Sequence, residues 1–346
     1  MQRLAQLRPV ALALGISLTC GFAAWWAGLP LPWMLGPMIG NTLAAMLGAP
    51  IRGPEPLRPL VIPIIGVMLG SGITADILSQ LDDWVMTLLV LPVFLGLAAG
   101  LSFLVYLKLG RFDPVTAFYS AMPGGLNEML ILGAAAGGDE RRIALAHAAR
   151  VLIVIFLVVV YFWLALGVTS TGSSSWVALD GLTGPDYAIL TGCGVLGLAL
   201  GRRMRLPAAP MFGPMILSGI AHLAGWVTVA PPTVLIVAAQ LVIGTVIGAR
   251  FVGATLQDVG RDLALAVVSA FGMLLIAVGF AELIAWQSGF ALSQAFLAFA
   301  PGGLTEMSLL SLAMGQDVAY VSSIHLIRIT VIIAIAPTVF AWVLRR

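Results

Sequence analysis

The chain has 346 residues, of which 60% are apolar and only 9% are charged, and its mean hydropathy is +1.07. This composition cannot supply the polar surface that a soluble protein of this length needs, so it predicts a protein that crosses the membrane several times. The net charge of +2 gives no indication of nucleic-acid binding, because 15 of the 17 Lys and Arg residues fall in the loops between apolar segments.

Twelve apolar segments follow one another along the chain, six on each side of a stretch rich in Ser, Thr and Gly at residues 167–185. They cover residues 9–28, 31–49, 58–75, 84–107, 113–136 and 143–166, and then 186–201, 208–225, 233–249, 263–286, 291–314 and 319–343. Arg3 and Arg8 precede the first segment as in a signal peptide, but no clear cleavage site follows, so we expect an uncleaved span. Cys20 and Cys193 lie in predicted spans and indicate neither a disulfide nor a metal site.

One motif occurs in both halves of the chain. Residues Met122–Met129 read Met-Pro-Gly-Gly-Leu-Asn-Glu-Met, and residues Ala300–Met307 read Ala-Pro-Gly-Gly-Leu-Thr-Glu-Met. A histidine and an arginine follow each copy at the same distance, namely His147 and Arg150, and His325 and Arg328. One offset of 178 residues relates every pair, so the chain contains an internal duplication.

Weaker similarities extend the repeat beyond this motif. An ungapped alignment of residues 115–154 with residues 293–332 has 14 identities in 40 positions. Glycines repeat at the same offset, Gly66 and Gly70 with Gly244 and Gly248, and a Gly-Pro-Met motif at Gly36 recurs at Gly213. We expect the Gly-Pro-Met motif to kink its span.

The loop charges decide how many segments cross the membrane. If all twelve cross, the loop Lys and Arg residues divide 8 to 7 between the two sides, which violates the positive-inside rule. If each Pro-Gly-Gly segment instead enters the membrane and returns, all 15 loop Lys and Arg residues lie on one side. Residues 113–122 are also too few, at about 15 Å as a helix, to cross the bilayer. The second arrangement is therefore favoured.

The predicted fold is an all-α polytopic membrane protein of two inverted repeats, each with five transmembrane helices and one re-entrant helical hairpin. The first repeat is residues 1–166, residues 167–185 form an external linker, and residues 186–346 form the second repeat. An odd number of crossings inverts the second repeat relative to the first. The protein then lies in the inner membrane, with both termini in the cytoplasm.

Non-helical backbone at membrane depth is tolerated only inside protein or beside a water-filled cavity, so the two Pro-Gly-Gly tips should meet within the bundle. Their glycine amides and the starts of the following helices favour anionic or polar ligands. The predicted substrate or ion site contains Pro123, Gly124, Gly125, Asn127, Glu128, His147 and Arg150, with Pro301, Gly302, Gly303, Thr305, Glu306, His325 and Arg328. Asn127 and Thr305 could equally act as N-caps of the restarting helices.

The two glutamates carry the functional argument. A carboxylate at the bilayer centre costs on the order of 3 kcal/mol unless it is paired or protonated, and this chain has two such positions. One interpretation is a closed Glu–Arg ion pair that holds each hairpin against the next span. The other is that Arg binds an anionic substrate while Glu or His carries a coupling proton.

At these residues the chain resembles the AbrB-duplication family of membrane proteins, whose members carry two copies of Gly-Pro-Met and of Pro-Gly-Gly-x-x-Glu-Met. The resemblance covers nearly the whole chain. Family members have been named ammonia monooxygenases and AbrB family transcriptional regulators, the latter linked to regulation of gene expression. Three histidines are too few for an oxygenase metal cluster, and no soluble basic module is present for binding DNA. The plan is also similar to that of elevator-type secondary transporters.

We therefore predict a secondary transporter, coupled to protons or sodium, for a small polar or anionic metabolite. The alternatives are a membrane metabolite sensor that affects gene expression indirectly and a membrane-embedded enzyme, of which the enzyme is disfavoured. No cofactor and no metal is expected. The expected partners are a small-molecule substrate, the coupling ion and the lipid bilayer, with no nucleic acid and with a homodimer left open.

Overall fold

The computed structural model describes residues 2–73, 81–166, 176–253 and 256–344. Within these ranges the regular structure is entirely helical, with fourteen α-helices and no strand. The helices are α1 Gln2–Trp26, α2 Pro32–Met46, α3 Arg58–Ser71, α4 Leu81–Leu104, α5 Pro114–Ala121, α6 Leu126–Ala135, α7 Glu140–Leu166, α8 Gly184–Arg203, α9 Ala209–Leu223, α10 Thr233–Ala249, α11 Leu256–Ser288, α12 Leu292–Phe299, α13 Leu304–Ala313 and α14 Val318–Leu344.

Five of the described helices are long and apolar enough to cross a membrane. They contribute Leu7–Trp26, Trp84–Leu109, Glu140–Phe162, Gly260–Ser288 and Val318–Trp342. The described part of the chain is thus all-helical, with several apolar helices that are consistent with a multi-pass membrane protein. The other five predicted crossings correspond to α2, α3, α8, α9 and α10, which have 14 to 20 residues. A helix of 14 residues is only about 21 Å long, which is shorter than a typical hydrocarbon core.

The helix bounds repeat along the chain. Shifting α5, α6 and α7 by 178 residues reproduces the bounds of α12, α13 and α14, and shifting α2 by 177 residues reproduces those of α9. Even a rare backbone conformation recurs, since Leu31 before α2 and Ala208 before α9 both have positive φ angles, of 48° and 46°. The division into residues 1–166, 167–185 and 186–346 stays a prediction, because residues 167–175 are outside the described part of the chain.

The described residues form two compact units, and each unit combines segments from both halves of the sequence. The first unit draws on residues 1–79, 159–255 and 308–319, and the second on residues 80–158, 256–307 and 320–346. The two compact units therefore do not correspond to the two halves of the sequence.

Close glycine contacts hold the first unit together. A Cβ added at Gly66 of α3 would collide with the carbonyl oxygen of Met211 in α9, and one added at Gly244 of α10 would collide with that of Met34 in α2. Each contact thus joins helices from opposite halves of the sequence. Small residues of this kind allow helix backbones to approach in membranes.

The Gly-Pro-Met motifs lie inside α2 and α9, and neither helix is interrupted there. Instead, Gly36 packs against the carbonyl oxygen of Cys20 in α1, and Gly213 packs against that of Gly197 in α8. The glycine of the motif is therefore a packing residue.

The second unit contains both Pro-Gly-Gly segments. Helix α5 begins after Asp113, whose Oδ1 accepts a hydrogen bond of 2.9 Å from the amide of Thr116. Partial burial raises the pKa of this carboxyl, but the hydrogen bonds from Thr116 and from the amides of Val115 and Asp113 together lower it more, so the pKa lies below its usual value. Aromatic contacts fix both short helices, as Phe299 of α12 packs on Phe94 and Tyr119 of α5 packs on Phe340.

Candidate functional site

Both Pro-Gly-Gly segments interrupt a helix. Helix α5 ends at Ala121 and α6 begins at Leu126, while α12 ends at Phe299 and α13 begins at Leu304. Proline removes a backbone donor and glycine weakens the helix, which explains the break at these positions. The helices before the breaks have 8 residues and those after have 10, about 12 Å and 15 Å long.

The helices restart one residue earlier than the sequence predicts. Gly125 is the N-cap of α6, so Asn127 lies in the first turn, and the N-cap interpretation of Asn127 is wrong. The Asn127 side chain is outside the described part of the structure. Thr305, in the second copy, is likewise the second residue of α13 and is half-buried.

The early restart places each glutamate where its side chain can reach back to the helix start. Glu128 is the third residue of α6 and Glu306 is the third residue of α13. A Cβ added at Gly125 would collide with Oε2 of Glu128, and one added at Gly303 would collide with Oε2 of Glu306. Each carboxylate thus folds over the glycine, as acidic side chains do in a capping box. Glu306 is 8% exposed, whereas Glu128 is exposed.

The arginines bind main-chain carbonyl oxygens at the breaks. Arg150 donates through Nη1 to Met122 at 3.1 Å, and Arg328 donates through Nη1 to Ala300 at 2.7 Å. Carbonyl groups at a helix end lack helical partners and carry partial negative charge, so a guanidinium group there is favourable. Both arginine side chains are buried, at 4% and 2% exposure. The closed Glu–Arg pair considered from the sequence stays a prediction.

The histidines attach the long helices to the short ones. His147 Nε2 lies 2.8 Å from the carbonyl oxygen of Tyr119 in α5, and His325 Nε2 lies 2.8 Å from that of Leu297 in α12. A carbonyl oxygen can only accept, so Nε2 carries the hydrogen in both rings. His147 Nδ1 accepts from Arg150 Nη2 at 2.8 Å, which requires a neutral His147 ring.

All fourteen predicted site residues belong to the second compact unit. The two copies approach one another there, because a Cβ added at Gly124 would lie 2.8 Å from Ile332, one turn beyond Arg328 on α14. The charge of Arg150 also acts on Arg328. Pro123 and Pro301 are buried beside their glycines, of which Gly302 is buried and Gly124 and Gly125 are half-buried.

Sequence reasoning missed a group of buried polar residues in the same unit. Tyr106 lies in a π-helical turn at Val105–Leu109 and is 1% exposed. It interacts with Ser269 and, electrostatically, with Arg150. Ser269 Oγ lies 2.6 Å from Ser102 Oγ. None of the three has a polar counterpart at the repeat offset, so the duplication could not reveal them. Their polarity within apolar segments was the available signal.

Within the described residues, no group of three or more His, Cys, Asp or Glu side chains is placed to hold a metal ion. The site consists instead of helix breaks, carboxylates, imidazoles and guanidinium groups. Such an arrangement can bind small polar molecules and exchange protons.

The sequence is similar to known proteins along nearly its whole length. A family model described as "Transition state regulatory protein AbrB" matches residues 33–344. "Uncharacterized protein YhjN" of Bacillus subtilis (strain 168) is 26% identical, over 94% of this chain and 90% of that protein. "Putative regulator AbrB" of Escherichia coli (strain K12) is 25% identical, over 94% of this chain and 93% of that protein. These matches confirm the resemblance drawn from the doubled motif.

Proposed function

The chain belongs to the AbrB family, and we propose that it is a secondary active transporter for a small polar or anionic metabolite. The metabolite binds between the two Pro-Gly-Gly tips, and its movement is coupled to protons or sodium. The protein is not an enzyme and uses no cofactor. It lies in the inner membrane with both termini in the cytoplasm.

The observation that carries this proposal is the pair of helix breaks within one compact unit, each lined by a buried histidine and a buried arginine. Discontinuous helices form the substrate and ion sites of many secondary transporters. Ionisable residues within apolar helices mark substrate or ion pathways, because their burial is costly without a function.

The repeat supports alternating access. Two repeats of five crossings and one re-entrant hairpin are inverted relative to one another, which lets one site open to either side of the membrane. Two observations favour this plan. The helix bounds of the two halves are related by a constant offset, and the loop Lys and Arg residues can all be placed on one side of the membrane.

A second candidate function is a membrane sensor. It is favoured by the name of the Escherichia coli relative, "Putative regulator AbrB". A sensor binds its metabolite without moving it across the membrane, whereas an enzyme would consume it. Purified protein in liposomes distinguishes these cases, because only a transporter accumulates an unmodified metabolite inside.

The decisive experiment replaces the glutamates. Liposomes containing the protein and a trapped pH-sensitive dye receive small polar metabolites one at a time, under a proton gradient and then under a sodium gradient. Glutamine keeps the size and hydrogen bonding of glutamate but removes its titration, so Glu128→Gln or Glu306→Gln should abolish transport or its pH dependence. The larger effect is expected at the buried Glu306.

The control is Glu282→Gln, at an exposed position of α11 outside the motif. It should transport normally, and all three variants should keep the melting temperature of the unmodified protein within a few degrees. Unchanged rates and pH profiles in both single variants and in the double variant would remove the coupling role of the glutamates.

A further inference from the structure

The two copies of the histidine–arginine pair differ in the partner of the arginine Nη2 group. In the first copy, Arg150 Nη2 is 2.8 Å from His147 Nδ1. In the second copy, Arg328 Nη2 instead donates to the carbonyl oxygen of Gly302 at 2.8 Å. His325 Nδ1 is left without a hydrogen-bond partner among the described residues, although the side chain is 0% exposed.

This atom is an acceptor. His325 Nε2 carries its hydrogen toward Leu297, and a second positive charge beside the buried Arg328 is unfavourable, so the ring is neutral. Arg328 Nε is also buried and unpartnered among the described residues, and it is a donor. The two residues are three apart on α14 and hence on one face of the helix.

A buried acceptor and a buried donor on one helix face call for a group that can satisfy both, because leaving them unpaired is costly. Hydroxyl groups, primary amides and protonated carboxyl groups both donate and accept, whereas an ionised carboxylate only accepts. We propose that the second copy of the motif binds an uncharged polar group of the substrate, which donates to His325 Nδ1 and accepts from Arg328 Nε. This inference rests on the proposed function and narrows its substrate class from polar or anionic to uncharged.

The surroundings of the second copy disfavour an anion. The carboxylate of Glu306 folds over Gly303 and covers the start of α13, which is where an anion would otherwise bind. One N–H of each Nη group of Arg328 already donates to a carbonyl oxygen, of Ala300 and of Gly302. An ionised carboxylate in this place could accept from Arg328 Nε, but it would leave His325 Nδ1 without a donor.

Propionamide and propionate test the inference, because they have nearly the same shape and only the amide can donate. The melting temperature of the purified protein is measured at pH 7.5 over a range of probe concentrations, and it rises with the occupancy of the site. Propionamide should stabilise the protein and propionate should not. The measurement requires no transport, so a sensor would give the same result and the two proposals can fail separately.

The variant His325→Gln keeps a donor for Leu297, but its only acceptor, the amide oxygen, lies one bond farther from the backbone than Nδ1 and so leaves the Nδ1 position. Its apparent Kd for propionamide should rise about tenfold, the consequence of one buried hydrogen bond lost. The matched control is His147→Gln, where the corresponding acceptor is already bound by Arg150. This variant should lose thermal stability, and its Kd for propionamide should rise less than that of His325→Gln.

A nitrogen-15 NMR measurement on the unmodified protein covers the case in which His325→Gln fails to fold. Propionamide should shift the Nδ1 signal of His325 and leave that of His147 in place. Equal stabilisation by propionate overturns the proposal. A protein that responds to neither probe holds only an internal water at this pair, and this result overturns the proposal as well.

Discussion

Arg150 and Arg328 occupy equivalent positions in the repeat, yet they stabilise their helix breaks differently. Arg328 binds two carbonyl oxygens of its break, Ala300 and Gly302, whereas Arg150 binds Met122 and divides its remaining bonds between His147 and a long contact of 3.5 Å to Ser120. A substrate without two-fold symmetry must also use the two halves differently. The two arginines are therefore not interchangeable.

We expect Arg328→Gln to destabilise the protein more than Arg150→Gln. Loss of Arg328 leaves two buried carbonyl groups unpaired, at a cost of about 2–4 kcal/mol. Loss of Arg150 leaves one carbonyl group unpaired, that of Met122, together with His147 Nδ1, and the second copy already tolerates an open Nδ1 at His325, so the cost is smaller. The loss of ligand affinity should also differ between the two variants, and the difference in stability should not account for it. Thermal unfolding and ligand binding of both purified variants check this. If the two variants lost the same thermal stability and the same ligand affinity, the expected difference between the arginines would be rejected.

At the residue scale, the sequence predicted which residues belong to the site better than it predicted their hydrogen-bond partners. The Pro, Gly, Glu, His and Arg residues were found because they repeat at a fixed offset. That Arg328 binds the carbonyl oxygens of Ala300 and Gly302 could not be predicted, because these contacts depend on where the helix ends and restarts. Tyr106 could not be found from the repeat, because its counterpart, Ile284, is apolar.

At the element scale, repeated glycines carry the helix contacts of the first unit. Gly66 and Gly70 of α3 meet the carbonyl oxygens of Met211 and Met215, and Gly244 and Gly248 of α10 approach α2 in the same way. The spacing of four residues predicts a close helix contact but names no partner helix. The structure supplies the partner, which in each case comes from the other half of the sequence.

The variants Gly66→Ala and Gly244→Ala should destabilise the protein by about 1–3 kcal/mol each, because the added methyl group forces two helices apart. The matched control is Gly96→Ala in α4, where a Cβ meets no atom within 4 Å. That control should be neutral or stabilising by up to about 1 kcal/mol, since alanine favours helix more than glycine does. Thermal unfolding in detergent measures all three. Equal stability of Gly66→Ala and Gly96→Ala would contradict the packing role.

At the scale of the whole molecule, helices that are far apart in the sequence are grouped in the same compact unit. Periodicity and composition predicted the helices, their breaks and their repetition, because these depend on neighbouring residues. The assembly of each compact unit from both halves depends on contacts between residues more than a hundred positions apart, such as Gly66 with Met211. No local pattern encodes such pairings.

The inverted plan predicts opposite locations for two equivalent loops. Residues 138–142 should lie in the cytoplasm and residues 315–318 outside, because only this arrangement collects every loop Lys and Arg on one side. Single cysteines at Glu140 and Gln316, in a background without Cys20 and Cys193, are treated with a membrane-impermeant maleimide. Glu140→Cys should react only in inverted vesicles and Gln316→Cys only in intact spheroplasts. Reaction of both from the same face would mean that the repeats are parallel, and the alternating-access argument built on their inversion would then fail.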